Sequence, residues 1–338
     1  MIKEHTQYSL LTHNTFGIDV KADLFFEYSS VEELKSILSR NSICGKPLLH
    51  IGGGSNLLFV SDFKGVVLHS GIKGIQVVEE TEDYVKIRVG AGEVWDDIVA
   101  FCVDRGWPGM ENLSLIPGEV GATAVQNIGA YGAEVKDLID RVETVELGSL
   151  RERDFTNEQC CFSYRQSIFK NELKGKCIVT YVTYKLDKHA AVNIEYGNLQ
   201  EELAKAGEVN LKNIREVVIK VRQSKLPDPE VEGNAGSFFM NPFISSEQLE
   251  VIRKECPEIP FYETGDRIKV PAAFMIDRCG WKGKRLGNAG VHDKQALVLV
   301  NKGGATGKEI IDLAHAIQDS VRNKFSVDIY PEVNFIGE

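Results

Sequence analysis

Helical and strand-like stretches alternate along this chain, and capping residues, glycine and proline mark where each one stops. Ser30 followed by Glu33 is a capping-box pattern ahead of VEELKSIL and predicts a helix ending near Asn41. LLHI (48–51) then reads as a short buried strand, GGGSN as a turn, LLFV as a second strand and GVVLHS (65–70) as a third. The first part of the chain thus looks like an α/β unit. IQVVEETEDYVKIRVGAG (75–92) reads as a hairpin, because VKIRV alternates strictly beside a charged turn. DDIVAFCVDRG comes next as an amphipathic helix that Gly106 closes. VETVEL, CIVTYVTYKL and EVVIKV (216–221) are strand-like.

KLPDPEVEGNAG (225–236), dense in proline, glycine and charge, is the best domain boundary. Beyond it, Ser245 and Gln248 cap a helix over SSEQLEVIRKEC, and PAAFMIDRCG starts a helix with Pro271 in its first position. ALVLVN is a strand, and Thr306 with Glu309 caps a long helix whose Ile310, Leu313, Ala314, Ile317 and Val321 share one face. VDIYPEVNFIG is the last strand.

Composition narrows the class. At 338 residues the chain has room for two or three domains of ~100–200 residues. Its net charge of −10 repels nucleic acid and anionic membrane. No run approaches the ~20 apolar residues of a membrane helix, and the N-terminus lacks the apolar core of a signal peptide, so a cytoplasmic protein is expected. Seven irregularly spaced cysteines contain no C-x-x-C, and the histidines no H-x-x-x-H. Buried free thiols are expected, with neither a disulfide scaffold nor a metal site.

Four stretches carry candidate chemistry. Gly52, Gly53, Gly54, Ser55 and Asn56 can converge backbone N–H groups on phosphate oxygens, or simply turn the chain between strands. The LLFV run after them is not the helix of a dinucleotide fingerprint, and no G-K-[ST] makes a P-loop. The run from Ile116 to Gly132 is long, nearly uncharged and built from small residues, which suits a backbone wrapped round a cofactor or a packed crossover. Within it Gln126 and Asn127 are candidates to read the polar edge of a ring. In GNAGSFFMNP, Ser237 is a turn serine, a nucleophile without visible partners, or a proton donor beside a developing carbanion. In FSYRQSIF, Arg165 presents a fork that matches a carboxylate, or is a salt-bridged surface group. Lys225 and the cluster Lys282, Lys284 and Arg285 add positive charge for an anionic ligand, or are solvated faces.

In this order GGGSNLLF, IPGEVGATAVQNIGAYGAE, FSYRQSIF, KLPDP with GNAGSFF, HDKQALVLVN and YPEVNFIG resemble the UDP-N-acetylenolpyruvoylglucosamine reductase family, over nearly the whole chain from Asn14 to Gly337. The resemblance implies an α+β / α/β fold, with an FAD-binding module of the vanillyl-alcohol-oxidase type and a C-terminal α/β substrate domain. It implies FAD-binding subdomains over 1–72 with 326–338 and over 73–224, and a substrate domain over 225–325. The implied reaction is NADPH-dependent reduction of the enolpyruvyl ether of a UDP-sugar to UDP-N-acetylmuramate for peptidoglycan.

By the same resemblance, Ser237 is the proton donor, and Arg165 and Glu332 flank the substrate carboxylate. Gly52, Gly53, Gly54, Ser55 and Asn56 would cradle the FAD diphosphate. Pro117, Gly118, Gly121, Ala122, Thr123, Asn127, Gly129, Ala130 and Gly132 would wrap the rest of the cofactor, with Thr123 its only hydroxyl. Tyr164, Lys225, Asn241 and Gln295 would hold substrate or the nicotinamide cofactor, and Tyr196 in NIEYGNL would cover the substrate. Met240 stands where a lysine is frequent in the family, so no phosphate contact is expected there. A monomer is the simplest assembly. An oxidase of the same fold, or a regulator that binds nucleotide sugars, would lack a reason to keep Ser237, Arg165 and Glu332 together.

Overall fold

Capping chemistry fixes the helix starts. Ser30 Oγ accepts from the Glu33 amide at 3.2 Å and opens the helix Val31–Leu38. The Glu33 carboxylate returns to the Ser29 amide at 2.8 Å, one residue earlier than a strict capping box. Reciprocal boxes open Ser246–Glu255 and Gly307–Phe325, and the latter buries the five residues expected on its inner face. Gly106, with φ +71°, comes after the helix Trp95–Asp104 and donates its amide to the Val103 carbonyl at 3.0 Å.

The computed structural model describes residues 1–196, 199–265 and 267–337. Gly197 and Asn198 of the NIEYGNL motif lie outside the described residues. The chain divides into two units: 1–8, 21–53 and 63–224 form the N-terminal unit, and 9–20, 54–62 and 225–338 form the C-terminal unit.

Two larger sheets lie in the N-terminal unit, beside the two-stranded pair Gly129–Ala130 with Ala133–Glu134. One runs in the order Lys3–Ser9, Lys21–Tyr28, Phe63–Ser70, Leu48–Ile51, with its last three strands parallel. Val31, Leu34 and Ile37 of the first helix pack into the same apolar cluster as Phe26, Val66 and Leu68 of that sheet. The other is antiparallel, in the order Glu152–Thr156, Ile139–Glu146, Cys177–Asp187, Tyr84–Gly90, Ile75–Glu80. The apolar residues of Tyr84–Gly90 alternate inward and meet Trp95, Ile98, Val99 and Cys102 of the neighbouring helix.

In the C-terminal unit a four-stranded antiparallel sheet runs Asn234–Ser237, Val298–Asn301, Ala289–Val291, Arg285–Leu286, and the helix Gly307–Phe325 packs on its two middle strands. The chain's last strand, Asn334–Ile336, pairs in parallel with Leu57–Phe59. It is shorter than the expected VDIYPEVNFIG because Pro331, without an amide proton, leaves only an isolated bridge to Phe239.

Three further expectations are corrected. EVVIKV is helix, part of Leu211–Lys225: its β-branched residues suggest a strand, but Ile214, Val217, Val218 and Val221 recur at helical spacing and are the buried ones. Pro271 is the residue before the helix Ala272–Arg278 rather than its first residue. All seven cysteines are free, and only Cys102, Cys160 and Cys256 are buried, while Cys44 and Cys161 face solvent.

Candidate active site

The first two glycine-rich stretches come together in the N-terminal unit. Gly52 and Gly53 continue from the strand Leu48–Ile51 and lie against Gly118 and Glu119. A Cβ at Gly52 would be 3.2 Å from Glu119 Oε2, and one at Gly53 would be 3.5 Å from the Gly118 Cα. A side chain at Gly52 would press on the Glu119 carboxylate, whereas one at Gly53 would only touch the Gly118 backbone. Beyond exposed Pro117, the second stretch turns into a short helix, Val120–Gln126, which small residues allow. Gly121 fits because a Cβ there would be 3.0 Å from the Ala91 Cβ, while Ala122 is half-buried.

Three polar side chains of this stretch have partners inside the unit. The Thr123 hydroxyl donates to the Val120 carbonyl at 2.7 Å and shares a 2.8 Å bond with the Tyr184 hydroxyl. Asn127 is buried in a left-handed conformation, φ +44°. Its amide donates to Glu134 and to the Ser163 carbonyl, and its oxygen accepts from the Lys136 amide. Gln126 accepts from Lys170 at 3.1 Å. The Asn127 side chain and the Gln126 side-chain oxygen brace the loops around them.

Those loops position Arg165. The amides and carbonyls of Ser163 and Gln166 bond reciprocally at 3.1 and 3.0 Å, leaving Tyr164 and Arg165 at the tip of a turn. Arg165 has φ +57°, a conformation costly for a side chain-bearing residue and retained where the surroundings enforce it. Its guanidinium donates to the carbonyls of Asn127 at 3.3 Å and Gly129 at 2.7 Å. The Gly129–Ala130 segment, paired with Ala133–Glu134, is thus bound to the arginine, with Gly132 at φ +78° in the turn between. Tyr131 at that turn meets the ring of half-exposed Tyr196 edge-on, centroids 6.2 Å apart.

In the C-terminal unit, Gly54 is buried with φ +66°, and a Cβ there would fall 2.0 Å from the His13 carbonyl oxygen. Half-buried Ser55 and Asn56 come next, and the Asn56 amide donates to the Glu332 carbonyl at 3.3 Å. Ser237 ends the strand Asn234–Ser237 and is exposed, whereas Phe238 and Phe239 just after it are buried. The Phe238 amide donates to the Leu297 carbonyl and its carbonyl accepts from the Glu332 amide, both at 2.8 Å. Ser237 and Glu332 are therefore on adjoining, hydrogen-bonded backbones.

Asn241 caps the helix Ala272–Arg278 by accepting from the Ala272 amide at 3.0 Å. The Gln295 side chain accepts from the Leu297 amide at 3.3 Å. Lys225 is the exposed last residue of the helix Leu211–Lys225, and Met240 is half-buried. The basic cluster is a partnered surface: Lys282 lies 3.6 Å from Asp277, Lys284 stands over the Trp281 ring, and Arg285 donates to the Lys302 carbonyl.

Sequence reasoning missed two buried groups near Tyr131. Arg222 Nε and Asn112 Oδ1 are buried without a hydrogen-bond partner. Burial holds the Arg222 guanidinium below the ordinary arginine range, against the pull of Tyr131 and Asp96. The neighbouring Arg215, by contrast, is paired with Asp96 at 2.6 Å. Asn112 donates its amide to the carbonyls of Tyr131 and Asn193, so its orphaned oxygen lies beside the same loops. A buried donor and a buried acceptor left open are what a ligand with polar edges would satisfy. Nothing local in the sequence marks either residue. Among the described residues no cluster of His, Cys, Asp or Glu could hold a metal ion, and no helix is long and apolar enough to cross a membrane.

Comparison with known proteins bears directly on these features. A family model described as "UDP-N-acetylenolpyruvoylglucosamine reductase, C-terminal domain" matches residues 228–336, and one described as "FAD binding domain" matches 22–148. The chain is 57% identical to the UDP-N-acetylenolpyruvoylglucosamine reductase of Bacteroides fragilis over 331 residues, 98% of this chain and 99% of the relative. It is 47% identical to that of Flavobacterium johnsoniae over 335 residues, covering 98% and 99%. The crystal structure of the reductase from Thermus caldophilus shares its fold, with a TM-score of 0.69 at 22% identity over 100% of this chain and 99% of that one.

Proposed function

The chain belongs to the UDP-N-acetylenolpyruvoylglucosamine reductase family, and on that premise we propose how its own residues carry the reaction. It is an oxidoreductase acting on a UDP-sugar, with an FAD-binding module of the vanillyl-alcohol-oxidase type and a C-terminal α/β domain. We propose that NADPH is the reductant and that the product, UDP-N-acetylmuramate, feeds peptidoglycan precursors. The setting is the cytoplasm and the working form a monomer that needs neither membrane nor nucleic acid.

The residues present fit FAD. Gly52 and Gly53 lie beside Gly118 as side-chain-free backbone, the kind of segment whose amides can face a diphosphate. Arg222 Nε and Asn112 Oδ1 supply an unsatisfied donor and acceptor for the polar edge of the flavin. FAD, held there, would supply hydride chemistry toward C3 of the enolpyruvyl group, with NADPH as the source of the electrons.

Negative charge then develops from C2 into the substrate carboxylate. Arg165 binds that charge more strongly than the ground state, because the Asn127 and Gly129 carbonyls orient its fork beforehand. Glu332 helps hold the same carboxylate region, and Ser237 gives its proton to C2. A serine is a poor acid in water, yet toward a carbanion of far higher basicity the transfer runs downhill. Lys225, Tyr164, Tyr196, Asn241 and Gln295 bind the diphosphate, sugar or nicotinamide portions. The observation that carries this reading is the 2.8 Å bond from the Glu332 amide to the Phe238 carbonyl, which holds the glutamate and serine backbones side by side.

The test is the visible absorption of the protein without oxygen. NADPH should bleach the flavin band, and UDP-N-acetylenolpyruvoylglucosamine should restore it. A reduced flavin that ignores that substrate and reacts with oxygen instead would overturn the reading.

A further inference from the structure

Charged groups form a chain beneath the two glycine stretches of the N-terminal unit. His69, on the strand Phe63–Ser70, places Nε2 2.8 Å from Glu119 Oε1 and Nδ1 3.2 Å from Glu27 Oε2. Glu27 is also paired with Lys3. The other oxygen of Glu119 is the atom 3.2 Å from a Cβ at Gly52. The side chains of His69 and Glu119 are only 15% and 13% exposed, so solvent screens their charges little.

A carboxylate only accepts hydrogen bonds, and a neutral imidazole has one N–H and one lone pair. With a carboxylate oxygen against each ring nitrogen, both are satisfied only when both carry protons. Burial works to lower the His69 pKa, and the hydrogen bonds and charges of Glu119 and Glu27 outweigh it, so the net shift is upward. Other groups facing the ring leave its charge to decide. Lys3 is a standing cation on the first strand, Tyr28 is a neutral phenol, and His50 is half-buried, neutral and bonded to Tyr28 at 2.8 Å. His5 and Tyr8 also lie on this side, both against the ring of Phe25, which stacks on His69.

We infer that His69 is a positioning residue for the cofactor: its imidazolium neutralises Glu119 so that an anionic diphosphate can lie along Gly52, Gly53 and Gly118, and FAD binding is coupled to a proton on this histidine. This rests on the FAD reading above. An uncompensated carboxylate beside the diphosphate would repel it, and deprotonating His69 leaves one. By linkage the diphosphate favours the protonated ring, so affinity is high at low pH and falls as pH rises through the histidine's titration.

The test measures the FAD fluorescence released when the holoprotein is diluted at pH values from 6 to 9.5. The wild-type dissociation constant should rise with pH. His69→Gln should bind on the order of tenfold more weakly at pH 6.5, with a flat profile, the factor that one unit of coupled pKa shift represents. Glu119→Gln should bind tightly across the range, with a shallower slope than the wild type. The double variant His69→Gln/Glu119→Gln should recover the affinity that His69→Gln loses, which a merely structural histidine would not allow. A pH slope shared by all variants, or a double variant as weak as His69→Gln while its melting temperature is kept, overturns the inference. A wild-type protein that holds no FAD at any pH overturns the cofactor reading itself.

Discussion

The amide of Glu332 donates to the carbonyl of Phe238 across 2.8 Å, and the buried Phe238 ring, 5.1 Å from that of Phe239, keeps this pairing from sliding. Ser237 is the last residue before that anchor and is exposed beside it. Replacing Ser237 removes the proposed proton donor without touching the packing that places it. Ser237→Ala should therefore lower turnover with the enolpyruvyl substrate by about 10²–10⁴-fold. Reduction of the flavin by NADPH should proceed at the wild-type rate. Stopped-flow absorption separates the two half-reactions, and normal reoxidation by substrate would remove Ser237 from the chemistry.

Arg222 gives a prediction of opposite signs for stability and binding. A buried guanidinium nitrogen without an acceptor is a cost to the flavin-free fold. Arg222→Met keeps the volume and removes the charge, so the flavin-free variant should melt at or above the wild-type temperature. FAD should be held about 10–100-fold more weakly, the range expected for losing a hydrogen bond to a charged group. Calorimetric melts and flavin titration on the same preparations check both halves. Unchanged FAD affinity would place Arg222 outside the cofactor site.

Why Arg222 is invisible in the sequence, while several helix ends are not, is a matter of range. Capping boxes at Ser245 with Gln248 and Thr306 with Glu309 are written within four residues, and both form. The hairpin over 75–90 and the buried face of Gly307–Phe325 are likewise periodic signals. The helix Leu211–Lys225 is masked by β-branched residues, whose local preference the packing of Val217, Val218 and Val221 overrides. Glu119 reads locally as one charge in a neutral loop, and only the fold brings it to His69 and Gly52. Thr123 and Asn127 show the converse, since these polar side chains in a cofactor-like loop brace the loop itself. Sequence pattern says that such residues are placed with care, and long-range contacts decide for whom.

Two glycines of one motif should respond differently to the same substitution. In Gly52→Ala the new methyl meets the end of the Glu119 side chain at 3.2 Å, and a carboxylate can move. The expected result is a flavin-free melting temperature within about 2 °C of wild type, with FAD affinity reduced as the cradle narrows. In Gly54→Ala the methyl would lie 2.0 Å from the His13 carbonyl oxygen, with φ at +66°, and no side chain can yield. That variant should lose several degrees of melting temperature, roughly 2–4 °C per kcal/mol in a chain this long, or fail to accumulate. Equal melting temperatures for the two would contradict the packing.

His50 and His69 carry shifts of opposite direction, so stability should decline on both sides of neutrality. Burial, helped by the charge of His69, brings His50 down to about 3. Between its ordinary value of 6.5 and that depressed value, the unfolded chain binds a proton that the folded chain refuses, and stability falls as the solution is acidified. Burial also lowers His292, in the same direction. His69 is raised, because Glu119 and Glu27 together outweigh its burial, so its contribution is complete below about 6.5 and lost as pH rises through its folded value. Melting curves at pH 5.5, 7.0 and 8.5 resolve the two arms. His50→Gln, whose amide can still reach the Tyr28 hydroxyl, should lose part of the acid arm and keep the alkaline one. His69→Gln should do the reverse. If His50→Gln keeps the full acid arm between pH 7.0 and 5.5, His50 is not its source, and His292 is the depressed histidine to replace next.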